Sequence, residues 1–503
     1  MSNQSSAKKK PVLQHSPAHP PVLQPHATAA VKSYKAYPLT QKNLNFPEQL
    51  PDDWHDRAIK KLAELLTSSR NLRTYLDSCV KCGACADKCQ FFIGTGDPNN
   101  MPVARQDLLR NVYKRYFTWS GKWFPKLVGA TDLTPEILES WYIYYYQCSQ
   151  CRRCAVFCPY GIDTAEIAMA AREILNTLGQ GQRYCNEIIE KAETLGNNLG
   201  LPAPALKHTL AFLEEDLEEE TGVSIRLPLD KVGADILLVT PSADFFAEPH
   251  IEGFLGYAKV FHQAGLSWTV STLASEAANF GLFIGNPEHM SQLALRIKQA
   301  AKKLGVKRIV FGECGHAWRV AHQYFPQLVG EMDFLDPDYP IPQHICELTY
   351  DLLQAGQLKL DKSANADYRV TFHDSCNIAR SSRLGTEAGG QFDIPRALLK
   401  AVCEHVYDMP EESIKEKTFC CGGGGGLLTD ELLPVRIKGA LPRMRALQQV
   451  VTNHDVTHLV SICAICKSQF SKVLPEYGFK MDQILSLHQL VGNALIFEQN
   501  NDE

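Results

Sequence analysis

Apolar residues recur at intervals of three and four through DRAIKKLAELLTSSRNLRTYL and AEIAMAAREILNTL, so the chain from about 50 to 204 is predicted to be helical. The acidic stretch FLEEDLEEETG then reads as a solvated helix end and linker. Beyond it the period changes. ADILLVT, KRIVFGE, YRVTFHD and THLVSIC are short apolar runs of strand-forming residues separated by helical segments, the pattern of buried strands in an α/β region.

Two pairs of these runs are alike: ADILLVTPSAD resembles DYRVTFHDSCN, and RIVFGECGHAW resembles THLVSICAICK. Each strand leads into a loop, so two related halves are expected, 231–355 and 356–490. Residues 51–205 form the helical domain, 206–230 a linker and 491–503 a tail. Residues 1–50, with the near repeat PVLQHSPAH and PVLQPHATA, cannot build a core and read as a mobile arm whose histidines are solvated.

Composition removes several functional classes. Lys plus Arg total 51 against 56 for Asp plus Glu, a net charge of -5, which leaves no global footprint for nucleic acid. No run of about 18 apolar residues suggests a spanning helix, and no apolar segment follows MSNQSSAKKK, so a cytoplasmic protein is expected. The 17 cysteines are odd in number and bunched in short-spaced groups, which suits thiolate ligation of metal better than disulfides.

Cys79, Cys82, Cys85 and Cys89 form C-x2-C-x2-C-x3-C, and Cys148, Cys151, Cys154 and Cys158 repeat it, the second run followed by Pro159. Three thiolates on one tight loop reach three irons of one cubane, while the fourth, one helical turn on, faces elsewhere; in bacterial ferredoxins it ligates the other cubane. One 4Fe-4S cluster is therefore expected on Cys79, Cys82, Cys85 and Cys158, and another on Cys148, Cys151, Cys154 and Cys89. Zinc is the competing ligand reading, but two identical four-cysteine runs have no natural tetrahedral partition. A redox-silent structural cubane is the nearer alternative.

A third set comprises Cys376, the adjacent pair Cys420 and Cys421, and Cys463 and Cys466 in C-x2-C. Gly422, Gly423 and Gly424 begin a run of five glycines beside the pair, a backbone that can lie against a cluster and offer amides to its charge. No G-x-x-x-x-G-K-[ST] nucleotide loop is present. In the first half Ala243 stands where the repeat places Cys376, Ala317 stands opposite Cys466, and Cys314 alone survives, so no cluster is expected there. Cys314 and His316 are second-rank candidates for an axial or gating role. His373 and Asp374, just before Cys376, read either as a proton shuttle to a leaving thiolate or as a hydrogen-bonded pair at a strand end. Cys185, Cys346 and Cys403 stand alone and read as small core residues.

The C…CC…C-x2-C pattern resembles the CCG domain of heterodisulfide reductases, in which five cysteines hold a non-cubane 4Fe-4S cluster. CVKCGACADKCQFFIGTGDPNNMPVARQDLLR and WYIYYYQCSQCRRCAVFCPYGIDTAEIAMAAREIL further resemble the DsrK family, the heterodisulfide-reductase-like subunits of sulfite-reductase-linked membrane complexes. That resemblance covers residues 50–490. It implies two cubane clusters and one non-cubane cluster on Cys376, Cys420, Cys421, Cys463 and Cys466. It also implies a cytoplasmic subunit on the inner face of the membrane, touching it only through partners. Those partners would be a DsrM-like haem b subunit exchanging electrons with quinone, and the sulfur carrier DsrC as substrate. One substrate sulfur would be captured at the single non-cubane site while the other leaves as a thiol.

The competing expectation is an electron-transfer subunit of a glycolate or lactate oxidase type, which touches no sulfur substrate. The expected fold is an all-helical two-cluster ferredoxin-like domain joined to an α/β domain of two CCG-type halves, the first degenerate.

Overall fold

A computed structural model describes residues 42–44 and 49–497; most of the amino-terminal arm and the end of the tail lie outside the described residues. The helical region is built where the periodicity places it. Helices Trp54–Ser68, Pro102–Phe117, Pro135–Tyr146 and Thr164–Thr177 bury Leu62, Leu109, Trp141, Tyr145 and Ile167 in one core. Proline at the first position starts two of them, where the missing N–H costs nothing. Asp163 starts a third by accepting from the Ala165 amide at 2.9 Å.

The acidic stretch is not a linker. Ala203–Thr221 is a helix of 19 residues whose Leu206, Leu210, Leu213 and Leu217 are buried against the core of the first sheet. The glutamates hide this stripe from a reading by charge, since they occupy the other face of the same helix.

The α/β part holds two four-stranded sheets. In the first, β1 (Ile236–Val239), β2 (Trp268–Thr269), β3 (Arg308–Phe311) and β4 (Gln343–His344) lie in the order β2-β1-β3-β4, all parallel. In the second, β5 (Arg369–His373), β6 (His405–Tyr407), β7 (His458–Ser461) and β8 (Ile484–Ser486) lie in the order β6-β5-β7-β8, again all parallel. The central strands are buried along almost their whole length, β1 as an unbroken apolar run, as strands covered on both faces are. The identical order gives structural form to the internal sequence repeat. In each sheet the strand order reverses between the two central strands, and crevices for ligands open there, beyond the carboxyl ends of the strands.

The two sheets share one core. Helix His250–Gln263 packs on Leu487–Ala494 so closely that a Cβ on Gly256 would stand 1.9 Å from the His488 carbonyl oxygen. Residues 491–497 continue this packing rather than forming a tail: Val491, Ala494 and Leu495 are buried, and Leu495 bridges antiparallel to Leu360.

A buried ion cluster fastens the two crevices together. Glu313, after β3, receives Lys467 Nζ at 3.1 Å and lies 2.7 Å from His488 Nδ1. The Glu313 backbone carbonyl also accepts from the Ala464 amide at 2.7 Å, tying the loop after β3 to the loop after β7. Burial alone would raise the Glu313 carboxyl, but Lys467 and His488 overcome it and bring it down to about 2.

Candidate functional site: three adjoining groups of thiols

The first group lies in the helical region. Cys79, Cys82, Cys85 and Cys158 line one small cavity, whose wall also includes Cys154. Gly83 and Lys81 both have positive φ, which winds the loop tightly enough to bring the thiols round one space. Arg110 donates to the Cys79 carbonyl at 2.8 Å and fixes the loop to helix Pro102–Phe117. Cys82 is exposed. Burial pushes the Cys85 thiol up to about 11, offset in part by the Val103 amide.

The second, equally small cavity is lined by Cys148, Cys151, Cys154 and Cys89 together with Arg105, Arg152 and Arg153. Cys89 and Cys158 each line the cavity that holds thiols of the other run, and Cys154 lines both. Arg105 donates to Cys89 Sγ at 3.3 Å. Neither cavity has a histidine or carboxylate in its wall. Potential metal ligands that are all thiols suit a 4Fe-4S cubane, and the arginines around the second cavity would balance thiolate and sulfide charge. Among the described residues no three ligand side chains converge as a single metal ion would require. A cubane does not need such convergence, because its four thiolates go to four different irons.

The third group occupies the crevice of the second sheet. Cys376 begins the helix after β5, and Cys463 and Cys466 begin the helix after β7. Phe419–Gly426 brings in the adjacent pair from a third loop. Cys376 hydrogen-bonds Cys420, Cys421 lies between Cys420 and Cys466, and Cys463 touches Cys466. All five are buried. The hydrogen bonds from Cys376 and Cys421 hold the Cys420 thiol well below its ordinary value. The Gly422 and Gly423 amides point at the sulfurs of Cys420 and Cys421, at 3.4 and 3.5 Å. Five buried thiols with amides aimed at sulfur form a donor set richer than a cubane needs.

The degenerate half contributes to this third group. Cys314, after β3, hydrogen-bonds Cys463, and His316 Nδ1 lies 3.7 Å from Cys463 Sγ. His316 Nε2 faces Gly424, where a Cβ would stand 3.0 Å away. On the far side of Cys314 sits Glu276, whose carboxyl burial pushes up to about 8 although the Cys314 hydrogen bond draws it down. His373 is buried with its ring 4.9 Å from Phe470 and neither ring nitrogen hydrogen-bonded. Burial, with Arg443 nearby, drops it to about 3. A neutral imidazole with no partner counts against the proton-shuttle role expected of it; Asp374 is instead held by Arg396 at 2.8 and 2.9 Å.

The second and third groups adjoin. The Ser149 side chain, in the second cavity, hydrogen-bonds Cys420 and accepts from Gln90 at 2.8 Å. Arg172 donates to the carbonyls of Cys148 at 2.5 Å and Gly425 at 2.8 Å. Arg380 reaches from the helix of Cys376 to the Cys151 carbonyl, at 2.5 Å. These contacts, and Glu276, are what reading the sequence misses. Ser149 and Arg172 carry no motif, although both sit in or just after the second cysteine run. Cys185, read as a core residue, lies against Gly426, where a Cβ would be 2.9 Å from its sulfur.

Residues 75–162 match the 4Fe-4S dicluster domain family, and residues 370–471 match the cysteine-rich domain family. The chain is 41% identical to the Hdr-like menaquinol oxidoreductase iron-sulfur subunit 2 of Archaeoglobus fulgidus, over 89% of this chain and 84% of that protein. It is 40% identical to the Hdr-like menaquinol oxidoreductase iron-sulfur subunit of Archaeoglobus profundus, with the same coverage. Identity falls to 26% for one subunit of the dihydromethanophenazine:CoB–CoM heterodisulfide reductase of Methanosarcina barkeri, over 79% of this chain and 88% of that one.

Proposed function

The chain belongs to the family of Hdr-like menaquinol oxidoreductase iron-sulfur subunits, and from that premise we propose that it is the catalytic subunit of a quinone-linked membrane complex acting on the sulfur carrier DsrC. The reaction interconverts the carrier's disulfide with its two thiols, taking up or releasing two electrons and two protons, or its trisulfide with the two thiols and sulfide, in two such two-electron steps. The partners are a DsrM-like haem b subunit and the carrier, and the subunit sits on the inner, cytoplasmic face of the membrane. No helix among the described residues is long and apolar enough to cross it.

The observation that carries this reading is the continuity of the three thiol groups. The five-thiol crevice touches the second cavity through Ser149, and the second cavity shares Cys154 with the first. The first opens to the surface at Cys82. A two-electron sulfur conversion at one end is thereby joined to single-electron carriers leading to the other.

The donor sets support two cubanes, on Cys79, Cys82, Cys85 and Cys158 and on Cys148, Cys151, Cys154 and Cys89, and a non-cubane cluster on Cys376, Cys420, Cys421, Cys463 and Cys466. When bound, the non-cubane cluster supplies one-electron transfer and an iron open to sulfur. The chain's own residues do the rest. Burial keeps water from the five thiols, and the Gly422 and Gly423 amides steady negative charge on Cys420 and Cys421. Arg172 and Arg380 hold the crevice against the second cavity. Cys421→Ser in the whole complex should abolish carrier turnover while quinone-linked reduction of the cubanes persists; unchanged turnover would refute the proposal.

A further inference from the structure

Helix Pro102–Phe117 has one end at the first cavity, which Val103 and Gln106 line. Its other end carries a short hairpin of two helices, Trp119–Trp123 and Pro125–Val128. The hairpin holds its largest apolar side chains in solvent: Trp119 and Trp123 are each 70% exposed, Phe124 51% and Leu127 83%. Isolated exposed apolar residues need no explanation, but four within nine positions, three of them aromatic, form a patch that does.

The hairpin is firmly built. Gly121 sits against the end of the long helix, where a Cβ would be 1.9 Å from the Lys114 carbonyl oxygen. Thr118 Oγ1 accepts from the Gly121 amide at 3.1 Å, and Lys114 Nζ donates to the Val128 carbonyl at 3.1 Å. Arg115 donates to the Lys122 carbonyl at 3.4 Å. The Trp119 and Phe124 rings pack edge to face, their centroids 5.7 Å apart.

Charge identifies what they face. Between Asp107 and Asp132 the chain carries Arg110, Lys114, Arg115, Lys122 and Lys126 and no acidic residue, in a protein of net charge -5. Arg110 and Arg115 are paired with Asp107 and Asp132, whereas Lys122 and Lys126 are exposed among the aromatic rings. Tryptophan rings with lysines between them are the side chains that settle at the headgroup level of a bilayer, ring in the interface and ammonium on phosphate.

We infer that this hairpin is a direct membrane seat, inserting Trp119, Trp123, Phe124 and Leu127 into the interface of an anionic phospholipid bilayer. This goes beyond contact through partner subunits. It deepens the reading of a membrane-bound complex and does not depend on the sulfur carrier. From Val103 to Phe117 the helix spans about 21 Å, which is the distance along the helix between the first cavity and the seat.

The test uses the full-length, iron-loaded protein and sedimentation with vesicles of phosphatidylcholine alone or mixed with phosphatidylglycerol, at low salt. Binding to the mixed vesicles is expected, with a blue shift of tryptophan emission and quenching by brominated lipid. Of the six tryptophans, Trp141, Trp268 and Trp318 are buried and Trp54 is half-buried outside the patch, so it is the part of the signal lost with Trp119 and Trp123 that reports the patch. Lys122→Gln with Lys126→Gln should weaken binding about 25-fold, at about fivefold for each cation near an anionic surface. Trp119→Ser with Trp123→Ser should remove the quenching, with far-UV dichroism and iron content unchanged. If the tryptophan pair fails to fold, the lysine pair decides. Folded protein that ignores the mixed vesicles, or lysine variants that bind as wild type, would overturn the inference. Capture by the detergent-solubilised membrane subunit without vesicle binding would also overturn it, assigning the patch to a protein interface and leaving the complex itself intact.

Discussion

Arg172 donates to the Gly425 carbonyl at 2.8 Å across 253 positions of sequence. The same fully buried guanidinium bonds the carbonyls of Tyr145, Cys148 and Phe283. One side chain therefore joins the second cysteine run, the glycine run and the degenerate half. Arg172→Met should leave four buried acceptors short of a donor and destabilise the protein by about 3 kcal/mol or more. Anaerobic thermal unfolding should show a lowered Tm; an unchanged Tm would mean that the three regions are held by other contacts.

The glycine run should be more sensitive at some positions than at others. At Gly425 φ is +68°, and a Cβ would stand 2.9 Å from the Ser149 carbonyl carbon and 3.0 Å from the Cys148 oxygen, both backbone atoms that cannot give way. At Gly423 φ is not positive and the nearest atoms, 2.9 Å away, are Cβ and Oε1 of the buried Gln469, which can yield only by loosening its bonds to Arg436 and the Cys421 carbonyl. Gly425→Ala should therefore lose more iron and carrier turnover than Gly423→Ala. Equal loss in the two variants would show that spacing, not backbone approach, governs the run.

The crossed pairing of the cysteine runs makes a counterintuitive prediction. Cys158→Ser lies in the second run but should disturb the cluster held by the first, in the cavity of Cys79, Cys82 and Cys85. Cys89→Ser should disturb the other. Low-temperature EPR of the reduced variants should lose or convert different cubane signals; loss of the same signal from both would contradict the pairing.

A pH dependence follows from Glu347, whose carboxylate accepts the amides of His344 and Gly385 at 2.5 Å each. Burial outweighs these bonds and raises it from 4.5 to about 7. The folded state then binds a proton more tightly than the unfolded one, so stability is full below 4.5 and falls as pH rises to about 7. With partial solvent screening the loss is about 1–2 kcal/mol. Glu347→Gln should flatten the fall in Tm between about pH 5 and 8; a variant with the wild-type slope would assign the fall to other groups.

Much of this was legible in the sequence because its signals are local. The spacing of Cys79 to Cys89 and of Cys148 to Cys158 already implies the crossed cavities, and the runs around Leu238, Val310, Phe372 and Val460 became the central strands. The likeness of the two halves reappeared as two sheets of one order. What stayed hidden depends on distant contacts or on mixed signals. Leu206, Leu210, Leu213 and Leu217 form a helical stripe masked by glutamates. Ser149, Arg172, Cys185 and Glu276 matter through partners far along the chain, which no spacing within a motif reveals. His373 looked chemical beside Cys376, yet its ring is packed against Phe470 without a hydrogen bond.

The central claim is that the five-thiol crevice receives substrate sulfur. Low-temperature EPR of the anaerobically purified, oxidised protein, with and without the thiol form of the sulfur carrier and beside an iron count, tests it most directly. About twelve irons per chain, as three 4Fe-4S clusters require, and a paramagnetic signal that arises only with the carrier thiol and is lost in Cys421→Ser, are the predicted result. About eight irons as two cubanes, with no response to the thiol, would contradict it and leave the chain an electron relay.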